Sequence, residues 1–112
     1  MHEPLVVLVT AASREEAERI AEGLVEAMIA ACATIIPSAT SVYRWEGRVE
    51  RAREWLLIIK TRSDVLDELV ERVRALHSYE VPEVLALPVV GGSETYLRWL
   101  DGAVHGSWHA VD

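Results

Sequence analysis

The hydrophobic and polar positions of the chain predict alternating strands and helices. Residues 5–9 form an unbroken apolar run, which is typical of a central strand buried on both faces. Ser13 and Glu16 follow with the three-residue spacing of a capping box, which predicts the start of a helix. That helix carries apolar residues at helical spacing on one face from Ala17 to Ile29.

Residues 32–60 then predict a long β-hairpin. Two extended runs rich in β-branched and aromatic residues flank the turn Trp45-Glu46-Gly47-Arg48. Glu46 and Gly47 suit a two-residue loop, because glycine supplies the positive φ that such loops need. Pro37 cannot donate to a strand ladder, so the Pro37-Ser38 pair predicts a bulge or an edge.

The predicted hairpin is too long for the domain that contains it. Each strand has about 13 residues and is therefore roughly 43 Å long, whereas a domain of this size has a radius of gyration of about 13 Å. Val42, Tyr43, Trp45 and the apolar run 55–59 are poorly suited to face water. We therefore expect other copies of the same chain to cover the hairpin.

The second half of the chain repeats the helix-strand alternation. Ser63 and Asp64 predict the start of a second helix, whose apolar stripe runs through residues 66–76. Residues 77–83 read as a loop, and residues 84–90 as a strand that Pro88 confines to a sheet edge.

A short C-terminal helix completes the predicted architecture. Ser93 caps it, one face carries Tyr96, Leu97 and Leu100, and Gly102 ends it. The order βαββαβ with one further helix predicts an α+β, ferredoxin-like fold with both long helices on one face of an antiparallel sheet. The other face is left short of cover, which is a second reason to expect oligomers.

Composition narrows the cellular setting and the partners. The 112 residues suit a single domain over residues 1–112, with residues 103–112 as a loosely held tail. The formal charge of −7 argues against nucleic acid and anionic membranes as partners. The single Cys32 excludes an internal disulfide and fits a reducing, cytoplasmic location. We see no signal peptide and no apolar run long enough to span a bilayer.

The chain lacks the sequence motifs of common enzymes, so we expect a non-enzymatic protein. It has no phosphate-binding loop, zinc-binding helix pair, GxSxG motif or paired cysteines. Cys32 suits a small buried residue, with a thiolate metal ligand or a redox thiol as the alternatives. His77 suits a charge at a helix C-terminus, but with Tyr79 and Glu83 it forms a loop cluster that could host Cu(II) or Zn(II).

Other side chains suggest a ligand cleft. Lys60 at a strand end suits a snorkelling cation or a contact for an anionic ligand. Tyr43 and Trp45 suit packing at the hairpin tip or the wall of a cleft between subunits. His105 and His109 lie four residues apart and are minor candidates for metal binding.

The chain resembles the CutA divalent-cation tolerance proteins in six segments. The resemblance covers roughly residues 5 to 101 with the segments in family order, which makes the set far more specific than any one segment. The chain departs from the family where His77-Ser78-Tyr79 replaces the usual His-Pro-Tyr, and near Thr34. The matching segments are 9–11 (VTA), 30–37 (AACATIIP), 41–47 (SVYRWEG), 57–61 (LIIKT), 76–84 (LHSYEVPEV) and 96–100 (YLRWL).

The resemblance implies a homotrimer built on interlocking hairpins, a cytoplasmic location and a role in tolerance to divalent metals, with copper (Cu²⁺) as the expected ion. We therefore expect Cys32, His77 and Glu83 as metal ligands, without assigning them to one coordination sphere. Tyr43, Trp45, Lys60, Tyr79 and Trp99 are expected to line a cleft. The family is also similar in architecture to the trimeric PII signalling proteins, so a sensor of a small anionic metabolite is the alternative.

Overall fold

A four-stranded antiparallel sheet with three helices forms the structure, a computed structural model that describes residues 2–105. The strands lie in the order β2-β3-β1-β4, which is the ferredoxin-like arrangement predicted from the order of elements. A 3₁₀ turn at Ser63–Val65 precedes the second helix. The elements are β1 (Pro4–Ala11), α1 (Arg14–Glu26), β2 (Cys32–Trp45), β3 (Arg48–Arg62), α2 (Leu66–Leu76), β4 (Val84–Pro88) and α3 (Glu94–Ala103).

The core lies on one face of the sheet, between β1, β3, α1 and α2. Leu5, Val7 and Val9 are buried there, in one cluster with apolar residues of both long helices. Val6 and Leu8 point to the opposite face and are only half-buried. The expectation that this run is buried on both faces is therefore wrong for the single chain. We call the second face the open face; across it Val6 pairs with Leu87 of β4, and Leu8 with Leu85.

The hairpin matches its prediction in detail. Trp45 pairs with Arg48, and the two loop residues Glu46 (φ 49°) and Gly47 (φ 80°) both lie in the left-handed region. These angles define a type I′ turn, whose twist matches that of the strands it joins. The predicted bulge is also confirmed, because the register shifts between Ile36 and Ala39 and Ser38 has a φ of 60°.

Only part of the hairpin belongs to the four-stranded sheet. β3 pairs with β1 from Trp55 to Arg62, whereas its preceding residues 48–54 pair with β2 alone. Residues 39–54 thus form a two-stranded ribbon that projects beyond β1. The projection makes the molecule long for its size, with a longest extent of 46 Å against a radius of gyration of 14.6 Å. This confirms the predicted overhang.

The first helix is shorter than predicted. It ends at Glu26, and Met28 adopts a φ of 59°, so the chain turns back and Ile29 N–H donates to Leu24 C=O at 3.0 Å. This left-handed closure satisfies a helix-terminal carbonyl. It also turns Met28 outward, where its side chain is 50% exposed, although the helical pattern assigned it to the buried stripe.

The later elements differ from their predicted boundaries in small ways. Ser63 and Asp64 belong to the 3₁₀ turn before α2, and β4 ends at Pro88 on the sheet edge, short of residue 90. In α3, Ser93 Oγ accepts a hydrogen bond from Tyr96 N–H, which confirms the cap. Gly102 does not end that helix, which continues to Ala103.

Residues 104 and 105, the described part of the predicted loose tail 103–112 that follows α3, are held in place. Val104 is fully buried, and His105 N–H donates to Met28 C=O at 2.8 Å, so both are held against the body of the domain. Residues 106–112, including His109, lie outside the described residues. Among residues 2–105, no helix is long and apolar enough to cross a membrane.

The turn predicts opposite effects for two substitutions. Gly47→Ala should lower the free energy of unfolding by about 1 kcal/mol, because alanine pays a backbone cost at positive φ. No atom lies within 4 Å of the added Cβ, so steric overlap does not contribute. Glu46→Asn should raise stability by a few tenths of a kcal/mol, because asparagine favours the first position of this turn. Urea unfolding at one fixed protein concentration measures both; a neutral Gly47→Ala would contradict the turn assignment.

Candidate functional site

A cleft of about 560 Å³ opens where the ribbon leaves the sheet. One wall is the ribbon, the floor includes Thr10 near the end of β1, and the other wall is the loop between α2 and β4. Its volume lies within the range of small-molecule sites. The lining residues are Thr10, Ser41, Val42, Tyr43, Trp45, Glu54, Tyr79, Glu80, Val81 and Glu83.

The ribbon presents its aromatic residues to the cleft through simple strand alternation. Ser41, Tyr43 and Trp45 lie two residues apart and therefore share one face. The pairing of Ala39 with Glu54 places Glu54 on that same face, at the base of the ribbon. Tyr43 and Trp45 are 44% and 49% exposed, so their rings are available to a ligand in the single chain.

Glu54 is a buried carboxylate at the back of the cleft. It is only 6% exposed, and Tyr79 Oη donates a hydrogen bond to its Oε2 at 2.7 Å. Burial and this acceptor together raise the pKa of Tyr79 well above its ordinary value, so the phenol stays protonated at neutral pH. Among residues 2–105, no arginine, lysine or histidine forms an ion pair with Glu54.

A second buried carboxylate holds the loop that carries Tyr79. Glu16 Oε1 accepts from Ala12 N–H at 2.9 Å, and its Oε2 accepts from Ser78 N–H at 2.7 Å. Burial alone raises the pKa of Glu16, but these hydrogen bonds outweigh burial and the net pKa is lowered. Ser13 Oγ accepts from Glu16 N–H, as in the predicted capping box, whereas the carboxylate links the helix start to a loop far along the chain.

His77 anchors the same loop with both ring nitrogens. Its side chain is fully buried, its Nδ1 accepts from Tyr79 N–H at 3.0 Å, and its Nε2 lies 2.6 Å from Thr10 C=O. Because Nδ1 accepts a hydrogen bond, the proton of the ring lies on Nε2, which donates to Thr10 C=O. A metal could bind either nitrogen only after one of these hydrogen bonds is broken.

The remaining predicted residues form a separate group on the open face. Cys32 pairs with Lys60, whose Nζ donates to Thr34 Oγ1 at 3.4 Å. Cys32 Sγ lies 3.7 Å from Tyr96 Oη, and the Tyr96 ring packs on Trp99 with centroids 5.4 Å apart. The hydrogen bond with Cys32 and partial burial raise the pKa of Tyr96.

Strand register separates the two groups. Cys32 lies opposite Lys60, which is six residues along β3 from Glu54. At about 3.3 Å per residue this is roughly 20 Å. The structure therefore brings Tyr43, Trp45, Tyr79 and Glu83 together in the cleft, with His77 behind them, and places Cys32, Lys60 and Trp99 elsewhere.

Within one chain the predicted metal ligands do not converge. Cys32 is partly exposed on the open face, and Glu83 is exposed at the cleft. Over residues 2–105 no three His, Cys, Asp or Glu side chains are close enough to hold a metal ion together. The described part of one chain thus does not fit a complete coordination sphere, although the cleft lining is acidic and includes no Lys, Arg or His.

Sequence reasoning missed the two buried carboxylates, Glu54 and Glu16. Glu54 lies in the strongly charged stretch 48–54, which resembles a solvated strand and carries no motif. Its burial depends on where β1 stops pairing with β3, which sequence pattern alone does not give. Glu16 had a visible signal, the capping box, but its partner Ser78 is 62 residues away.

Strand order and cleft together define an α+β, ferredoxin-like protein with an acidic, aromatic-walled cleft beside a projecting hairpin. The family described as "CutA1 divalent ion tolerance protein" matches residues 5–103. The chain belongs to this CutA family, as the sequence resemblance indicated.

Relatives of several origins are similar to the chain. The "Divalent-cation tolerance protein CutA" of Thermus thermophilus is 50% identical over 95 residues, which are 85% of this chain and 92% of the relative. "Protein CutA, chloroplastic" of Arabidopsis thaliana is 51% identical over 96 residues, which cover 86% of this chain. The match spans only 53% of the Arabidopsis protein and 58% of the "Protein CutA 1, chloroplastic" of rice.

Solved structures agree with the fold. The structure of the divalent cation tolerance protein (Cut A1) from Thermus thermophilus has a TM-score of 0.90 at 47% identity and covers 91% of this chain and 99% of its own. That of CutA1 from Oryza sativa has a TM-score of 0.91 at 46% identity, with coverage of 95% and 97%.

The Glu16 network predicts a loss of stability that depends on pH. Glu16→Gln replaces one acceptor oxygen with an NH₂ group that faces a backbone N–H, so it should lower the free energy of unfolding by about 1.5–3 kcal/mol at pH 7. The pKa of Glu16 in the folded protein lies below its ordinary value of 4.5. Its contribution is therefore complete above that value and is lost as pH falls below it.

Urea unfolding of wild type and Glu16→Gln at pH 7 and pH 3 measures this effect. The difference between the two proteins should shrink at pH 3. The exposed Glu22→Gln on α1 is the control, and we expect it to leave stability unchanged at both values. A difference between wild type and Glu16→Gln that does not depend on pH would show that Glu16 does not act through its charge.

Proposed function

We propose that the chain acts as a non-enzymatic homotrimer that binds a divalent metal ion, copper, and so contributes to divalent-cation tolerance. The family name supplies the relation to divalent cations. The observation that carries the proposal is the division of candidate ligands in one chain between two places about 20 Å apart along the sheet. A coordination sphere would then combine donors from more than one copy.

The open face supports assembly. Leu85 and Leu87 of β4 are 57% and 49% exposed there, and strand alternation places the exposed Tyr43 and Trp45 of the ribbon on the same face. Apolar surface of this kind, continuous along a sheet face, is typical of a subunit interface. Three copies packed on these faces would shield both the sheet and the hairpin.

Donor chemistry supports copper as the ion. Cys32 offers a soft, partly exposed sulfur next to Tyr96, and soft sulfur ligands favour copper. Glu83 offers an exposed carboxylate oxygen at the cleft. His77 offers a buried ring nitrogen, which must lose its hydrogen bond before it can bind a metal ion. Cys32 is therefore the ligand most ready to bind without rearrangement.

The alternative, a sensor of a small anionic metabolite, finds little support. Lys60 was its principal contact, but Lys60 donates to Thr34 on the open face and does not line the cleft. Three glutamates line the cleft instead, and they repel an anion. A shift of the melting temperature with nucleotides or carboxylates would restore this alternative.

The cytoplasmic location remains a prediction that rests on the sequence. Two plant relatives are named as chloroplastic proteins, and a relative of known structure from Archaeoglobus fulgidus is named as periplasmic. The names thus assign different locations to proteins that resemble this chain. Fractionation of the source cells tests it.

Assembly predicts the effect of one charge on the open face. Leu87→Lys should convert the trimer to a monomer at micromolar concentration, because it places an ammonium group in the proposed apolar interface. Val25→Lys on the outer face of α1, where Val25 is 39% exposed, is the matched control and should remain trimeric. Light scattering distinguishes the two; a monomeric wild type, or a trimeric Leu87→Lys, would contradict the proposed interface.

Copper binding predicts a ranking of the three ligands. In a Cu(II) titration, Cys32→Ser should weaken binding about tenfold or more. Substitutions that only support a metal's direct ligands already weaken binding on that scale, and Cys32 is proposed as a direct ligand. Glu83→Gln and His77→Ala should have smaller effects. Zn²⁺, which has no redox chemistry with the thiol, serves as the control ion. If none of the three substitutions weakens binding, these ligand assignments fail.

A further inference from the structure

Strand alternation gives the projecting ribbon two chemically different faces. One face carries Tyr43 and Trp45 and lines the cleft. The other face lies on the side of the sheet that carries the helices, because it shares the alternation of the buried Leu57 along β3. We call this second surface the basic ribbon face. Its cross-strand pairs are Thr40 with Arg53, Val42 with Arg51 and Arg44 with Val49.

No described residue of the same chain covers the basic ribbon face. The face has three arginines and no acidic residue, although the chain as a whole has a net charge of −7. Its arginines are exposed, and Val42 and Val49 are 58% and 65% exposed. Across residues 2–105 none of these arginines forms an ion pair. A surface that covers this face should therefore be acidic and partly apolar.

The loop between α2 and β4 has that composition. Val81 is 68% exposed, and the exposed Glu80 and Glu83 lie on either side of it. In the part of the chain that the structure describes, neither glutamate forms an ion pair. We call these three residues the acidic loop patch. Hydrogen bonds from the backbone of residues 78 and 79 to Glu16 and His77 hold the start of the loop, so the patch is presented in a fixed position.

The two surfaces cannot meet within one chain. The ribbon turns its basic face away from its own loop, because the opposite face of the same ribbon forms the cleft wall. We propose that the basic ribbon face of one copy binds the acidic loop patch of the next copy. Arg51 and Arg53 then lie against Glu80 and Glu83, and the exposed valines of both surfaces are in contact. This inference rests on the homotrimer proposed above and assigns two of its contact surfaces.

A contact between two different surfaces also bears on the symmetry of the assembly. A self-complementary contact closes a dimer, whereas a head-to-tail contact closes a ring when the rotation between copies permits it. In a ring of three copies every basic ribbon face and every acidic loop patch is used once. Exposed ion pairs add little stability, but complementary charges determine which surfaces meet and in which orientation.

Charge reversal tests the contact through the rate at which copies exchange between trimers. Native mass spectrometry follows the mixing of isotope-labelled and unlabelled full chain, with EDTA present to exclude metal ions. Arg51→Glu/Arg53→Glu places like charges against the acidic loop patch, so at low salt its copies should exchange roughly tenfold faster than those of wild type, or the trimer should be lost. Glu80→Arg/Glu83→Arg should have the same effect. High salt should reduce both effects, because it screens exposed charges.

The chain with all four substitutions restores opposite charges in reversed positions. Because all four positions are exposed, folding does not depend on them, and exchange should return to within about threefold of the wild-type rate. Arg19→Glu/Arg72→Glu, at exposed positions on α1 and α2, makes the same charge change as the ribbon pair and should exchange like wild type.

Two kinds of failure are distinguishable in this experiment. Wild-type exchange in both charge-reversed pairs, or effects that add in the fourfold variant without rescue, would overturn the contact and leave the trimer in place. A monomeric wild type would instead overturn the trimer on which the inference rests.

Discussion

The mismatch in length between β3 and β1 is the constraint from which the rest of the structure follows. β3 has 15 residues and β1 has eight, so β1 pairs with β3 only from Trp55 to Arg62. The remainder of β3 pairs with β2 alone and leaves the sheet as a ribbon. Glu54 is the last residue before β1 begins to pair. It therefore lies in the corner between the ribbon and the sheet. The cleft forms at this corner because β1 ends before β3 does.

The corner becomes a defined site because buried polar groups fix its second wall. Glu16 binds Ser78 N–H, and His77 binds Thr10 C=O, so the loop after α2 is tied to both ends of the turn between β1 and α1. Each group is costly to bury alone, and its hydrogen bonds offset that cost only in this arrangement. The position of this loop and the shape of the cleft therefore depend on the start of α1, which lies away from the rings of Tyr43 and Trp45.

Local chemistry explains which features the sequence could predict. The hairpin turn, the bulge at Pro37 and the cap at Ser93 each depend on residues next to one another, and each was correct. Tyr43, Trp45 and Tyr79, expected to line a cleft, and Glu83, expected as a metal ligand, lie around one cleft of the single chain; their roles stay predictions. The left-handed Met28 was missed, since no glycine marks that helix end.

Other features depended on register, which no local pattern gives. Lys60 and Trp99 were expected in a cleft between subunits, and within one chain the pairing of Lys60 with Cys32 places them at the other end of the sheet from Tyr43 and Tyr79. Glu54 looked like one more charge on a solvated strand until the end of β1 determined its burial. Sequence pattern thus does not determine how side chains far apart in sequence are placed along one strand ladder.

The cleft and the group around Cys32 differ in charge and in the chemical type of their side chains. The cleft carries three glutamates and three aromatic side chains and no Lys, Arg or His, so its field is negative. At the other end of the sheet, Cys32 presents a soft sulfur beside the Tyr96 phenol, a donor that would need ligands from other copies to complete a coordination sphere. Strand alternation places Glu54 and Tyr43 on the same face of the hairpin as Lys60 and Cys32, so the cleft and the Cys32 group both belong to the open face. A subunit packed on the open face would therefore contact both places, so assembly and the shape of the cleft depend on the same surface.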